Sequence, residues 1–152
     1  MKGIVVKKCK LGLGVFANKD FKKGDKIFRF KGKIVTSKEL PNEFKNDRNI
    51  LVDPLQIGEN KFLIIDPPGL YVNHSCDPNS GFKGLTLFAI KDIKKEDEIN
   101  YDYSSMWFEG MECNCGSPNC RHYIGSFLTL SDQTKSKYKK LGILPKFILN
   151  KS

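Results

Sequence analysis

Apolar residues occur along the chain in short clusters, each bounded by glycine, proline or charged residues. Several clusters are rich in Val, Ile and Phe, which favour strands over helices. The clusters predict strands at residues 4–6, 15–16, 27–30, 33–35, 61–66 and 85–90. Breaks rich in glycine, proline or charge predict turns at residues 12–14, 24–25, 67–69 and 91–97. Many short strands separated by tight turns predict a compact, mainly β domain.

Two segments carry helical signals. Ser37 is a suitable N-cap for a short helix over residues 37–45. Residues 132–148 predict a last helix that ends near Gly142 or Pro145. The chain is therefore expected to add a few short helices to its strands.

The length and composition fit one folded domain. The chain has 152 residues, of which 39% are hydrophobic and 11% aromatic, so it has enough apolar material for one core. No apolar run reaches the roughly 18 residues that span a bilayer, and the apolar stretch within residues 1–8 is too short for a secretory signal. We expect a soluble, intracellular protein with no membrane partner. In a reducing compartment its five cysteines indicate metal binding or catalysis before disulfides.

The charge is distributed unevenly, with a formal net value of +9. Residues 1–50 hold 14 Lys and Arg against 5 Asp and Glu, residues 51–125 hold 6 against 11, and residues 126–152 hold 6 against 1. The basic ends are interpreted as solubilising lysine or as a weak contact for nucleic acid, and the first interpretation is favoured. The acidic centre would suit a cationic substrate.

Three cysteines lie close together within the stretch Cys-Asn-Cys-Gly-Ser-Pro-Asn-Cys, at residues 113–120. Thiolates are suited to zinc, and a structural zinc takes four ligands in a tetrahedron. Zinc is favoured over free or disulfide-bonded cysteine. The stretch supplies three ligands, so Cys76, Cys9 and His122 remain candidates for the fourth.

Two polar stretches are candidates for a functional site. Residues 73–79 read Asn-His-Ser-Cys-Asp-Pro-Asn, a loop that fixes its own backbone or holds a polar ligand. Taken alone, His74 is more readily interpreted as a structural histidine. In the second stretch, residues 97–103, Tyr101 and Tyr103 are two residues apart and would face the same way on a strand. Their hydroxyls would suit a narrow polar channel, although for the pair taken alone an interpretation as core or edge aromatics is favoured.

The order and spacing of these stretches resemble the SET-domain family of protein-lysine methyltransferases. Residues 73–79 and 98–103 are similar to its two signature motifs, residues 11–16 to its opening glycine turn, and residues 113–125 to its post-SET zinc segment. The resemblance implies a mainly β fold, a SET-type β-clip with few short helices and a knot-like crossing of the two motifs. It implies a SET domain over residues 1–111, a zinc segment over 112–125 and a partly helical tail over 126–152.

The resemblance also implies a chemistry, namely methyl transfer from S-adenosylmethionine to a lysine of a histone-like or other basic protein. It makes Tyr103 and Tyr101 catalytic. It assigns cofactor binding to Gly12, Leu13, Gly14, Phe16, Asn73, His74, Tyr103 and Ile124. It supplies Cys76 as the fourth zinc ligand beside Cys113, Cys115 and Cys120, which leaves Cys9 as a free core thiol.

Tyrosine at position 101 implies a tighter, wetter pocket that favours the addition of one methyl group. Leu70 departs from the family pattern, because an arginine often contacts the cofactor at that position. We expect a monomer, located at chromatin in the nucleus of a eukaryote or in the cytoplasm of a prokaryote. The alternative is a non-catalytic, zinc-stabilised module that binds nucleic acid or protein.

Overall fold

The computed structural model describes residues 2–40, 54–106 and 110–150. Strands dominate, as the apolar clusters predict. They are β1 (Ile4–Cys9), β2 (Gly12–Ala17), β3 (Lys26–Arg29), β4 (Gly32–Val35), β5 (Leu55–Gly58), β6 (Lys61–Ile65), β7 (Asn73–His74), β8 (Ser80–Lys83), β9 (Thr86–Ala89), β10 (Glu98–Tyr101), β11 (Met111–Glu112) and β12 (Tyr123–Ile124). Three short 3₁₀ turns cover Gly69–Tyr71, Tyr103–Ser105 and Phe127–Thr129. The prediction of a mainly β chain with few short helices is confirmed.

The strands form small sheets rather than one large one. One sheet has the order β1-β2-β10-β7, a second β3-β9-β8 and a third β4-β6-β5, while β11 and β12 form a hairpin. Within the first sheet β10 runs antiparallel to β2 and parallel to β7. The two polar stretches therefore lie side by side, although the residues that pair, such as Asn73 and Asn100, are 27 positions apart in the sequence.

The predicted turn at residues 12–14 is wrong. These residues begin β2, and the turn lies at Lys10 and Leu11, where Cys9 pairs with Gly12. Gly14 is needed for a close approach instead, because a Cβ there would lie 2.5 Å from Glu98 Oε1. The glycine-rich stretch therefore stays extended, and the side chain of another strand packs directly against it.

The main core lies between the sheets and is rich in aromatic rings. Phe30 and Phe82 meet edge to face with centroids 4.8 Å apart, and Tyr101 meets Phe82 in the same way at 4.9 Å. Edge-to-face contacts of this kind add to the free energy gained from burying the rings. Tyr101 is thus part of the core and also of a predicted site.

The C-terminal segment contains α1 (Asp132–Leu141) and α2 (Lys146–Leu149). The predicted helix is confirmed and ends at Gly142, which takes a left-handed conformation with φ 62°, and the short helix α2 follows it. The segment has its own core, which consists of Ile90, Phe127, Leu130, Tyr138, Ile143, Leu144, Phe147 and Ile148. We call this set the C-terminal cluster. The division of the chain at residues 111 and 125 stays a prediction.

Residues 41–45 of the other predicted helix lie outside the described residues. Residues 37–39 form a turn in which Thr36, not Ser37, occupies the capping position, because its carbonyl accepts from the Leu40 N–H at 3.1 Å. The Thr36 hydroxyl also donates to the Glu39 carboxylate at 2.8 Å. Among the described helices none is long and apolar enough to cross a membrane.

Candidate active site

The two polar stretches meet through a parallel ladder in which Asn73 pairs with Asn100 and His74 with Tyr101. Asn79 and Asn100 strengthen this contact, because each backbone N–H donates to the side-chain oxygen of the other at 3.1 Å. The Ser80 hydroxyl donates to the Asn100 carbonyl at 2.6 Å. These hydrogen bonds satisfy buried polar groups on both stretches. We call this meeting of β7 and β10 the motif crossing.

The amide of Asn73 is held by three acceptors on different elements. It donates to Glu98 Oε1 at 2.7 Å, to the Leu13 carbonyl at 3.0 Å and to the Cys9 sulfur at 3.4 Å. Leu13 and Gly14 of β2 therefore lie against Asn73, as the resemblance implies for residues of one site. Cys9 contributes its thiol here, away from the other four cysteines.

The imidazole of His74 is held in one tautomer. Its Nδ1 accepts the Tyr103 backbone N–H at 3.1 Å, so the ring proton lies on Nε2. Nε2 lies 3.2 Å from the Cys76 sulfur, to which it can donate. Burial lowers the pKa of His74 to about 4, which keeps the ring neutral near pH 7 although Asp102 lies 3.6 Å away.

Tyr101 and Tyr103 lie together next to His74, although the two do not share a strand. Tyr101 ends β10 and Tyr103 begins a 3₁₀ turn, which corrects the prediction that both lie on one strand face. Their ring centroids are still only 4.8 Å apart, and Tyr103 lies 5.3 Å from the His74 ring. The Tyr103 hydroxyl donates to the Val72 carbonyl at 3.0 Å, which fixes its orientation.

Four thiols gather beside the motif crossing. Cys113 Sγ lies 3.7 Å from Cys76 Sγ and 3.6 Å from Cys120 Sγ. Cys115 Sγ lies within 4.8 Å of both Cys76 and Cys113, as does His74. Zinc–sulfur bonds of about 2.3 Å in a tetrahedron place the sulfurs about 3.8 Å apart, close to the observed distances. The donor set and its spacing therefore fit zinc.

The charge states of the thiols also favour a bound cation. Burial raises the pKa of Cys113 and of Cys76. Burial opposes ionisation of Cys115 as well, but backbone N–H donors and neighbouring thiols lower its pKa to about 7. Thiols that are costly to ionise need a positive charge among them to become ligands, and a divalent metal supplies it.

Cys120 fits the fourth ligand position better than His74 or His122. A metal on His74 Nε2 would move the ring proton to Nδ1, where it would face the Tyr103 N–H. His122 contributes only its backbone, since its N–H donates to Cys120 Sγ at 3.4 Å and its carbonyl accepts from the Cys113 N–H. The ligand set of Cys76, Cys113, Cys115 and Cys120 stays a prediction. The ligand atoms that all lie within 4.8 Å of one another belong to His74, Cys76, Cys113 and Cys115, while Cys120 Sγ lies 3.6 Å from Cys113 Sγ. The tautomer of His74 is the reason to favour Cys120.

The remaining predicted site residues lie on β2 and in the hairpin. Phe16 pairs with Glu98 across the first sheet, and Gly12 begins β2 with φ 107° and open space where a Cβ would be. Ile124 is buried and pairs with Met111. Leu70 packs against the main core from the 3₁₀ turn at Gly69–Tyr71.

A buried carboxylate that sequence reasoning missed connects these parts. Asp102 is 1% exposed and accepts two hydrogen bonds from the Arg121 guanidinium, at 2.8 and 2.9 Å. It also accepts the Ser104 N–H at 3.0 Å and the Tyr138 hydroxyl at 2.7 Å. Arg121 follows Cys120 directly, so its position beside a metal segment was a usable signal. Tyr138 lies on a mostly polar helix, where no comparable signal exists.

The family model of the SET domain matches residues 12–104. The variant-silencing SET domain-containing protein of Plasmodium falciparum is 32% identical over 143 residues, and the histone-lysine N-methyltransferase ash1 of Drosophila melanogaster is 33% identical over 134 residues. These alignments cover 81% and 75% of this chain. The chain spans 6% of the length of each of these relatives.

Solved structures agree with these matches in fold. The methyltransferase domain of human histone-lysine N-methyltransferase SETMAR superposes with a TM-score of 0.66 at 23% identity, covering 81% of this chain and 58% of that one. A structure of ctPRC2 bound to S-adenosylmethionine superposes with a TM-score of 0.61 at 24% identity, covering 68% of this chain and 15% of that one. The matched residues include the whole motif crossing, and the chain belongs to the SET-domain family.

Proposed function

We propose that the chain is a protein-lysine N-methyltransferase that transfers a methyl group from S-adenosylmethionine to a lysine side chain. The supporting observation is the motif crossing, which brings Asn73 and His74 beside Tyr101 and Tyr103. Histone-lysine methyltransferases among the relatives, and the cofactor named for the ctPRC2 structure, support the same reaction.

The transfer forms a bond between the lysine nitrogen and the methyl carbon and breaks the bond between that carbon and sulfur. S-adenosylmethionine supplies the methyl group on a positively charged sulfur. A lysine amine, with an ordinary pKa of about 10.4, must first lose a proton, and burial in a channel beside a positive charge promotes that loss. No side chain in this proposal acts as a strong general base.

Tyr103 is proposed to orient the amine. Its hydroxyl proton is directed to the Val72 carbonyl, so its oxygen is oriented to accept an N–H of the substrate. Tyr101 is proposed to line the same channel from the core side, since its ring is fixed by Phe82. Much of the rate increase would come from alignment, up to about 7–11 kcal/mol for well-oriented groups.

Cofactor binding is proposed for the segment of β2 that lies against the motif crossing. Asn73 and His74 would hold polar groups, while Gly12, Leu13, Gly14 and Phe16 would offer mainly backbone. Ile124, beside the thiols, would pack on the adenine. Zinc, held by the four thiols, would fix residues 113–124 so that this apolar contact is in place.

The proposed substrate is a histone or another basic protein, as for the histone-lysine methyltransferases among the relatives. The excess of Asp and Glu over residues 51–125 suits a cationic segment. A location at chromatin in the nucleus, or in the cytoplasm of a prokaryote, and a monomeric state are further parts of this proposal.

A contact with nucleic acid is a second candidate function, supported by one groove. Lys23, Lys91, Lys137 and Lys140 line a groove of about 460 Å³ between α1 and the loop after β9. Lys91 is paired with Asp77 at 2.7 Å, which leaves three lysines whose charge is not paired with a carboxylate among the described residues. Ammonium groups in such a groove would bind phosphates of a nucleic acid backbone.

The groove is tested with duplex DNA over a range of salt concentrations. Lys137→Gln with Lys140→Gln should weaken binding, and the salt slope should become shallower by about 0.9 for each phosphate that the variant no longer neutralises. The pair Lys135→Gln with Lys139→Gln removes the same charge from α1 outside the groove and should change binding less. Equal effects of the two pairs would argue against this contact.

The enzymatic proposal is tested with labelled cofactor and a mixture of histones. The wild-type chain should transfer label to protein. Tyr103→Phe, which keeps the ring but loses the hydroxyl that orients the amine, should reduce transfer by roughly 100-fold. Tyr123→Phe removes the hydroxyl of an exposed tyrosine near the thiols and should leave transfer unchanged. Nucleic acid binding by a chain that transfers no label would favour the binding module instead.

A further inference from the structure

Asp102 lies between Tyr101 and Tyr103 in the sequence, and its side chain is almost fully buried. A buried charge is tolerated when it is paired and when its remaining lone pairs accept hydrogen bonds. Arg121 supplies the charge, Ser104 supplies one N–H, and the Tyr138 hydroxyl supplies the shortest of these bonds at 2.7 Å. Arg121 and Tyr138 both lie beyond residues 12–104, which the SET family model matches, and Tyr138 belongs to the C-terminal cluster.

Tyr138 is held firmly in this position by the C-terminal cluster. Its side chain is 1% exposed, and α1, which carries it, ends at a left-handed glycine. The cluster packs tightly onto the second sheet, because a Cβ on Gly81 would lie 2.8 Å from the Ile143 side chain. The hydroxyl therefore reaches Asp102 from a rigid support rather than from a loose tail.

Arg121 connects Asp102 to the thiols. Its backbone N–H donates to Cys76 Sγ at 3.4 Å, while its guanidinium binds Asp102 and also donates to the Ser104 hydroxyl at 3.1 Å. Cys120 precedes it directly. A shift of the Asp102 carboxylate would thus move Arg121, and with it one end of the thiol segment.

We propose that Tyr138 is a positioning residue, which fixes the Asp102–Arg121 pair so that the thiol segment and the Tyr101–Tyr103 pair keep one relative placement. The inference concerns the proposed methyltransferase site and the proposed metal, and in that sense it rests on the proposed function. This role would make residues 126–150, which carry Tyr138, necessary for the geometry of the site. Burial beside Asp102 raises the pKa of Tyr138, so the hydroxyl keeps its proton and remains a donor.

The test compares Tyr138→Phe with Leu144→Ala in the full chain loaded with zinc. Tyr138→Phe removes only the hydroxyl that reaches Asp102, whereas Leu144→Ala leaves a cavity in the same cluster and does not touch Asp102. Zinc release to a coloured chelator should become about 10-fold faster in Tyr138→Phe, the usual size of effect for a group that supports a metal ligand. The KM for S-adenosylmethionine should rise by a similar factor, with a smaller change in kcat.

Leu144→Ala should lower the melting temperature at least as much as Tyr138→Phe, while zinc release and KM stay near the wild-type values. Equal zinc release from the two variants would overturn the inference, because the effect would then follow stability alone. Zinc release is measured without substrate. A wild-type chain that transfers no methyl group would therefore refute the proposed function, while faster release from Tyr138→Phe alone would still support the role of Tyr138.

Discussion

The motif crossing and the thiol segment at residues 113–120 form two sides of one proposed site, but they are held by different forces. The crossing has a strand ladder, the reciprocal bonds of Asn79 and Asn100, and an aromatic core behind Tyr101. The thiol segment has no strand or helix, and of its residues only Cys113 is buried. It is joined to the rest of the protein chiefly through sulfur and through Arg121.

This difference indicates that the site is only half preformed. Buried apolar surface and satisfied hydrogen bonds keep the crossing in place without help. Only Cys113 of the thiol segment is buried, so the segment has little apolar surface to offset its loss of chain entropy, and a bound metal would supply the missing stabilisation. Perturbing one side of the site should therefore leave the other side folded.

The largest effect is expected from Cys113→Ser, which removes the central thiol. Activity should fall by more than about 100-fold, because ligand loss exceeds the 10–100-fold typical of a residue that only supports a ligand. Zinc content should drop, and hydrogen exchange should accelerate over residues 113–124 while residues 80–101 stay protected.

Cys9→Ser is the matched control, because Cys9 lies outside the four-thiol group and contacts Asn73 instead. It should keep full zinc content. Loss of hydrogen-exchange protection throughout the chain in Cys113→Ser would show that the metal supports the whole fold. The two sides of the site would then not be independent of each other.

A smaller effect is expected from Asn100→Ala, which changes the motif crossing and not the thiol segment. This change removes the side-chain oxygen that accepts the Asn79 N–H, and it leaves that partly buried donor unpaired. The free energy of unfolding in urea should fall by about 1–3 kcal/mol. Zinc retention in the folded state should not change.

Asn114→Ala tests the same type of residue in the thiol segment, where the side chain is exposed. Its free energy of unfolding should remain within about 0.5 kcal/mol of the wild type. Zinc loss from Asn100→Ala at concentrations of urea that leave it folded would contradict the proposed independence.

Residues on both sides of the site could be predicted from the sequence. The cysteine spacing and the polar motifs carry their chemistry in a few neighbouring residues, so the thiols and Tyr101, Tyr103, Asn73 and His74 can be selected from sequence. The β-rich character also follows from local composition. The strands β5 and β8 escape prediction, because Leu55–Gly58 and Ser80–Lys83 have weak apolar patterns and pair only with partners that the fold supplies.

Contacts between distant residues could not be predicted from one sequence. Tyr138 occupies a helix of mostly polar residues, and only the folded chain shows that its hydroxyl reaches Asp102. The local sequence around Gly14 predicts a turn, since glycine is most often a turn residue. The actual role of Gly14 depends on Glu98, which lies far along the chain and on another strand.

After Asn100→Ala, the next largest effect is expected from Gly14→Ala. The added Cβ would lie 2.5 Å from Glu98 Oε1 and 3.2 Å from Asn73 Nδ2, so the Asn73 amide must move. The KM for S-adenosylmethionine should rise by roughly 10-fold, the cost of about 1.4 kcal/mol in binding. Gly58→Ala adds the same methyl group at a site with ordinary contacts of 3.5 Å or more and should leave the KM unchanged. An unchanged KM in Gly14→Ala would contradict the proposed role of this segment of β2 in cofactor binding.

The smallest effect on stability, but the most specific in chemistry, is expected from Tyr101→Phe. The ring is held by Phe82 and by Tyr103, so removing the hydroxyl should leave the fold and zinc content intact. Loss of the hydroxyl should make the channel wider and drier, and mass spectrometry of the product should show more di- and trimethyl-lysine. Tyr123→Phe, on the thiol side, should leave the product distribution unchanged, because its side chain is exposed. If Tyr101→Phe gave only the wild-type products, the number of methyl groups would have to be controlled elsewhere than at the motif crossing.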